Sequence, residues 1–244
     1  MKHTLTIAAV AAAGSLIAGG VFAETVRMGT EGAYPPYNFI NDKGEVDGLD
    51  REVGDEVCKR AALDCTWVTN DWDSIIPNLL SGNYDTIIAG MSITAERDEV
   101  IDFTQAYFPP DPSAYVALKG AGDEVTSGVV AAQVSTIQAG HVASSGATLV
   151  EFSTPDDTLA AMKNGEADAV LADRGFLEDI VNESGGELVF VGKEVMLGEG
   201  IGIGIRESDG ELKSKLDAAI ASMKADGTLN AMISKWFEGR ENAF

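Results

Sequence analysis

The chain has 244 residues, 45% hydrophobic and 23% charged, with 27 Gly and 7 Pro. That is a folding composition, neither disordered nor fibrous, and long enough for one large domain or two of ordinary size. Its 39 acidic against 17 basic side chains, a formal charge of -22, exclude nucleic acid as an expected partner and disfavour an anionic membrane surface, because both need a basic face. The acidic excess reads as solvated surface charge, and it suits a bound small molecule that is not itself strongly anionic.

Lys2 and His3 precede residues 4–22, an uncharged run rich in Ala, Ile, Leu and Val that closes on Val21-Phe22-Ala23. This is the pattern of a cleaved secretory signal covering residues 1–23. The alternative, a membrane anchor, is weakened by Gly14, Ser15, Gly19 and Gly20, which leave the apolar core short for a span of about 20 residues. Glu24 and not a Cys stands directly after the cleavage point, so lipid attachment there is not indicated, and no later apolar run is long enough to span. The expected product is soluble and exported to the periplasm.

A strand is predicted at 25–29, then turn-rich sequence at 30–36. The hairpin turn Asn41-Asp42-Lys43-Gly44 leads to 46–49, and Asp50 is read as the cap of a helix to about residue 62, with Val53, Val57 and Ala61 on one face. Cys58 and Cys65 are the only two cysteines. In an exported chain they favour one local disulfide over two unpaired buried thiols, and no nearby His or CxxC spacing supports zinc. Next come a strand at 66–68, a helix at 73–80, a buried strand at 85–89 and a short helix at 95–100 capped by Thr94. Pro109-Pro110-Asp111-Pro112 reads as a stiff crossover. Strands at 115–118 and 128–132, a helix at 136–143 and a strand at 148–152 follow, then a helix at 155–164 with Pro155 in its first turn. The remainder reads as strand 167–172, helix 176–181, strands 188–191 and 200–205, and helices 209–224 and 228–237. Gly198, Gly200, Gly202 and Gly204 alternate at period two, which fits a closely packed strand and not a phosphate loop. The alternation of strand and helix indicates an α/β fold with largely parallel sheets.

Motifs for catalysis are missing. His141 is the only histidine after residue 23, and Gly90-Met91-Ser92-Ile93-Thr94 lacks the second glycine of a nucleophile elbow. There is no Walker loop, EF-hand loop or zinc-ligand spacing. Neither cofactor nor metal is expected, and the weight shifts from enzyme to binding protein.

A strand end against a turn with an acid and two aromatics, Met28-Gly29-Thr30-Glu31-Gly32-Ala33-Tyr34-Pro35-Pro36-Tyr37-Asn38-Phe39, is followed by Trp72 at the head of a helix and by Ala89-Gly90-Met91-Ser92-Ile93-Thr94-Ala95-Glu96-Arg97. With Gly48-Leu49-Asp50, Ile75-Ile76-Pro77-Asn78-Leu79, Ile101-Asp102-Phe103-Thr104 and Ala225-Asp226-Gly227-Thr228, this order resembles the polar amino acid-binding proteins of ABC transporters, the family 3 extracellular solute-binding proteins. The likeness covers essentially all of the chain after the signal and is closest in pattern to the lysine, arginine, ornithine and histidine binders, in which a disulfide lies where Cys58 and Cys65 stand.

The resemblance implies a type II two-lobed periplasmic binding fold: residues 24–109 plus 201–244 form one lobe, 110–200 the other, two crossovers join them, and the ligand sits between. It implies that Arg97 grips a ligand α-carboxylate, for which a guanidinium fork is suited, with Ser92 and the helix N-terminal amides of Thr136 and Ile137 completing that subsite. Taken alone, Arg97 reads as a surface residue pairing Glu96 or Glu99. Asp173, with the carbonyls of Ala89 and Gly90, is implied for the α-ammonium; by itself Asp173 is a helix N-cap. Ser135 stands where the family usually has Gly. Tyr34, Trp72 and Tyr37 would flank the ligand side chain with Gln133 and Gln138, and Trp67 and Trp236 are assigned to core. Glu31 matches the acid that faces a distal cation in basic amino acid binders, against the alternative of an exposed turn residue. The implied function is capture of a free basic amino acid, an opine derivative being possible on the same pattern, and delivery to a membrane permease by a monomer. The rival readings are a cyclohexadienyl dehydratase on the same fold, with Asp173 as its proton donor, and a stand-alone sensor domain.

Overall fold

Apolar runs broken by turn residues resolve into two five-stranded sheets and one small three-stranded sheet. The computed structural model describes residues 24–240 and 243–244, so the expected export signal at 1–23 lies outside the described residues. In chain order the elements are β1 (Thr25–Thr30), β2 (Ala33–Tyr34), β3 (Asn38–Ile40), β4 (Val46–Asp47), α1 (Leu49–Arg60), β5 (Asp64–Thr69), α2 (Ile75–Leu80), β6 (Thr86–Ile87), α3 (Ala95–Asp98), β7 (Asp102–Phe103) and β8 (Ser113–Leu118). They continue with β9 (Val129–Gln133), α4 (Ile137–Ser145), β10 (Thr148–Phe152), α5 (Pro155–Asn164), β11 (Ala169–Asp173), α6 (Arg174–Glu183), β12 (Leu188–Val195), β13 (Gly204–Ile205), α7 (Gly210–Ala225) and α8 (Thr228–Trp236).

The first sheet has the order β5-β1-β6-β13-β7, and the second β10-β9-β11-β8-β12. All strands of the second lie between residues 113 and 195, so the chain leaves the first sheet and later returns to it. The sheets are mixed and not largely parallel. β1 runs parallel to β5 and β6, but β13 is antiparallel to β6 and β7; β9 runs parallel to β10 and β11, but β8 is antiparallel to β11 and β12. β8 and β13 are the first strands after each crossing. Each enters its sheet from the other lobe, without the βαβ return that would enforce parallel order.

The two crossovers lie side by side. Tyr107 N–H donates to the Ile201 carbonyl at 2.8 Å, and Ile201 N–H donates to that of Phe108 at 3.0 Å. This contact explains the alternating glycines, only the last of which is in a strand. A Cβ at Gly200 would sit 2.8 Å from the Phe108 oxygen, and one at Gly202 would sit 2.9 Å from Ile93.

Hydroxyl residues cap three helix starts, at Thr94 as predicted and also at Thr136 and Thr154. Thr94, Thr136 and Thr154 accept from the N–H of Arg97, Ala139 and Asp157, each satisfying an amide the helix itself leaves free. Asp50 is the exception. α1 starts at Leu49, after Gly48 at φ 111°, and Asp50 lies inside its first turn. Leu49 and Asp50 N–H donate to the Pro36 and Tyr37 carbonyls at 3.0 and 2.8 Å. Backbone acceptors from another loop thus replace the side-chain cap, and the Asp50 carboxylate turns inward.

The first-lobe core places Val53 and Val57 of α1 with Leu216, Ile220 and Met223 of α7 and Ile233 of α8. Trp67 and Trp236 pack against this core only half-buried; the Trp67 ring lies under the Arg51 guanidinium at 5.4 Å. Among the described residues no helix is long and apolar enough to cross a membrane.

Cys58 and Cys65 form a disulfide that ties α1 to β5 across a sequence separation of 7, with Cα atoms 6.2 Å apart. Closing so short a loop removes about 2.5 kcal/mol of unfolded-state entropy. Reduction, or replacement of both cysteines by Ser, is therefore expected to lower Tm by roughly 5–10 °C for a chain of this size, as read by calorimetry on the oxidised and Ser forms.

Candidate functional site

The carboxyl ends of β1, β6, β9 and β11 converge between the two large sheets, where open α/β sheets expose loop backbone and helix N-termini. They line a cavity between the lobes. The first lobe contributes Glu31, Tyr34, Trp72, Ala89, Gly90, Ser92 and Arg97 to its wall, and the second Gln133, Thr136, Ile137, Gln138 and Asp173.

Arg97 sits on the single turn α3, whose Thr94 cap fixes the backbone beneath it. It is 9% exposed. Its Nη1–H donates to the Ser92 carbonyl at 2.9 Å, and the guanidinium lies 5.4 Å over the Trp72 ring. Among the described residues no carboxylate hydrogen-bonds it; the pairing with Glu96 or Glu99 that its local sequence would suggest does not form. Burial lowers its pKa to about 10, against the opposing fields of Asp173 and Glu96. The group stays cationic at neutral pH.

Asp173 closes β11 at the N-cap position of α6 but makes no capping bond. Its carboxylate is engaged elsewhere: Oδ2 accepts from the Tyr34 hydroxyl at 2.9 Å and Oδ1 from Gln138 Nε2 at 3.0 Å. Burial raises its pKa to about 6, opposed by the Tyr34 hydrogen bond and by Arg97, and reinforced by Asp111. Glu31 is half-buried and not an exposed turn residue. Its Oε1 accepts from Gln133 Nε2 at 2.6 Å, and the same amide reaches the Ser153 carbonyl at 3.0 Å. Burial pushes Glu31 up to about 7; the Gln133 bond opposes the rise and Asp71 adds to it.

Three of these contacts cross between the lobes: Tyr34 to Asp173, Glu31 to Gln133, and Trp72 Nε1–H to the Ser135 carbonyl at 3.3 Å. One face of Tyr34 is covered by Phe176, stacked at 4.2 Å. Tyr37, expected against a ligand side chain, does not line this cavity. Its ring is 1% exposed and packs edge-on to Phe108 at 5.5 Å and against Phe237 at 4.8 Å, beside the crossovers. The tight Pro35-Pro36 turn sends the two tyrosines to different depths, which residue type alone does not reveal.

Pro155, Thr158, Leu171 and Ala172 also line the cavity. They form its second-lobe floor and carried no chemical signal in the sequence, since a helix start and an apolar strand read as core. His141 is not among the lining residues, and among the described residues no group of three or more His, Cys, Asp or Glu could hold a metal ion.

This closed, two-lobed α/β cleft with opposing buried charges defines a solute-binding fold. The chain matches the bacterial extracellular solute-binding proteins, family 3, over residues 26–239, and it belongs to that family. It is 32% identical over 233 residues to the lysine/arginine/ornithine-binding periplasmic protein of Escherichia coli (strain K12), covering 88% of each chain. It is 30% identical over 227 residues to the L-arginine-binding protein of Pseudomonas aeruginosa, covering 87% of each. Among solved structures, a periplasmic His/Glu/Gln/Arg/opine family-binding protein from Silicibacter pomeroyi in complex with lysine matches with TM-score 0.87 and 71% identity, over 90% of this chain and 100% of that one.

Ser135 holds φ 59° just before the Thr136 cap. A left-handed backbone costs a non-glycine residue about 1 kcal/mol or more, so glycine would adopt this conformation at less cost. Ser135→Gly is expected to raise unfolding free energy by about 1 kcal/mol, readable as a shift in the urea midpoint at unchanged slope.

Proposed function

We propose that this chain is the extracytoplasmic component of an ABC importer, exported through a signal cleaved after residue 23. It binds one basic amino acid (arginine, lysine, ornithine or histidine) and delivers it to a membrane permease as a monomer. The lobes are residues 24–109 with 201–244, and 110–200.

The carrying observation is the charge set of the cavity wall. Arg97 supplies one cation, and Asp173 and Glu31 two potential anions. An α-amino acid with a cationic side chain complements it group for group: carboxylate to Arg97 and the Thr136–Ile137 amides, ammonium to Asp173 and the Ala89–Gly90 carbonyls, distal cation to Glu31 beside Gln133. Gln138, expected at the side chain, instead donates to Asp173 at the ammonium end. Ser92 supports the carboxylate end, and Tyr34 and Trp72 supply aromatic surface for the stem. A guanidinium buried without a carboxylate is unfavourable, so a ligand carboxylate stabilises the closed state more than the open one, and binding draws the lobes together.

A dehydratase reading would make Asp173 the proton donor. Both of its oxygens accept hydrogen bonds, from Tyr34 and Gln138, which favours the ionised acceptor over a donor. Incubation with prephenate or arogenate is expected to leave both unchanged; turnover abolished by Asp173→Asn would establish the enzyme instead.

Arg97→Ala is expected to weaken amino acid binding by at least about 100-fold, the scale for stripping one partner from a buried charge pair, with an unchanged circular dichroism spectrum; calorimetric titration checks both. A thermal-shift screen of the common amino acids should rank the basic ones first. Glu31 must be ionised to face a cation, and its pKa stands at about 7. Affinity for lysine or arginine should therefore fall as pH drops through about 7, by up to about tenfold per pH unit. Glu31→Gln should weaken binding and flatten that part of the profile.

A further inference from the structure

Gly48-Leu49-Asp50 is a first-lobe motif that contributes nothing to the cavity wall. Its aspartate is 0% exposed, yet its carboxylate gathers hydrogen bonds from two separate segments. Oδ2 accepts from Asn38 Nδ2 at 2.8 Å and Oδ1 accepts from the Tyr107 hydroxyl at 2.6 Å, with the Gly90 backbone N–H beside the Asp50–Tyr107 pair.

Each donor leads to part of the cleft. Asn38 uses its Oδ1 to accept from Gly32 N–H at 2.7 Å, one residue from Glu31. Gly90 lines the cavity and holds φ 60°. Tyr107 belongs to the outgoing crossover, hydrogen-bonded to Ile201 of the returning one. The motif is itself locked to the same turn. A Cβ at Gly48 would lie 2.5 Å from the Tyr37 oxygen, and the N–H groups of Leu49 and Asp50 bond to Pro36 and Tyr37.

We infer that Asp50 is a positioning residue for the ligand site: one buried carboxylate that holds the Glu31 turn, the Gly90 strand end and the Tyr107 crossover in fixed register. An ionised carboxylate offers about four acceptor sites and no donor, which suits the two converging donors of Asn38 and Tyr107. Asparagine there has a single acceptor oxygen and turns an N–H group toward a donor. An apolar residue leaves the donors buried without partners, each at a substantial cost. The shape of the Glu31 and Gly90 subsites is thus set from beneath by a residue that no ligand touches.

The inference rests on the proposed basic-ligand function, and the test separates the two. Affinities for lysine and for its neutral counterpart glutamine are measured by calorimetry in wild type, Asp50→Asn, Asn38→Ala and the swap Asn38→Asp with Asp50→Asn. Asp50→Asn and Asn38→Ala should each cut the lysine-over-glutamine preference by about tenfold, the loss of roughly one charged hydrogen bond. The swap, which restores the hydrogen bond with its polarity reversed, should return to within about threefold of wild type, inside the usual error of additivity. A folded Asp50→Asn with lowered Tm but unchanged preference overturns the inference, because stability alone does not alter a ratio of affinities. If Asp50→Asn does not fold, Asn38→Ala decides on the same terms. If wild type binds neither ligand, the basic-ligand reading fails. The inference is then decided by amide exchange in the unliganded protein: at least about tenfold faster exchange at Gly32 and Gly90 in Asn38→Ala or Asp50→Asn, with second-lobe amides unchanged, supports it, and unchanged exchange overturns it.

Discussion

One guanidinium must stay charged where little water reaches it, and the cleft is organised around that constraint. Arg97 is held by the Ser92 carbonyl and the Trp72 ring face, neither of which neutralises it. Removing a cation from water is expensive unless an anion replaces the solvent. The carboxylate of Asp173 comes from the opposite lobe and is already hydrogen-bonded to Tyr34 and Gln138. A zwitterion between the two relieves both charges at once, whereas a simple cation or anion relieves one. The carboxyl of Glu31, pushed up by burial to about 7, is the third ionisable group in the wall and, in the proposed reading, the one that distinguishes a basic side chain from a neutral one.

The same residues that line the cavity also join the lobes. Tyr34 bonds Asp173, Glu31 bonds Gln133, and Trp72 bonds the Ser135 carbonyl. Closing the cleft and completing the site are therefore a single event, as expected of hinge-closing binders. The lobes are joined at the paired stretch of Tyr107, Phe108 and Ile201. Beside it the Arg240 guanidinium grips Asp111 of the proline-rich crossover at 2.5 and 3.0 Å.

Much of this was legible from short-range chemistry. Thr94, Thr136 and Thr154 each precede a helix, and each caps it, because a hydroxyl before a helical run has few other uses. The glycine run at 198–204 announced close backbone contact. The order of motifs carried the family, and with it the residues of the cleft wall. The misread positions share one feature, in that long-range partners outbid local ones. Asp50 looks like a cap but serves two donors from other segments, Asn38 and Tyr107. Tyr37 looks equivalent to Tyr34, yet it faces Phe108 and Phe237 from the far side of the sequence. The antiparallel strands β8 and β13 arise from the direction in which the chain re-enters a sheet, which no local pattern encodes.

Propensity, capping and the spacing of apolar residues act over a few positions, so they set the α/β alternation, the helix starts and the family motifs directly. Burial and charge pairing act through space. Only folding brought Arg97, Asp173 and Glu31 around one cavity from positions far apart in the chain, raised the two carboxyls by removing water, and sent Tyr37 beside the crossovers and Asp50 behind the first-lobe wall. The residue types were written along the chain; their depth and their neighbours, which turn side chains into a binding site, came from packing two lobes against each other.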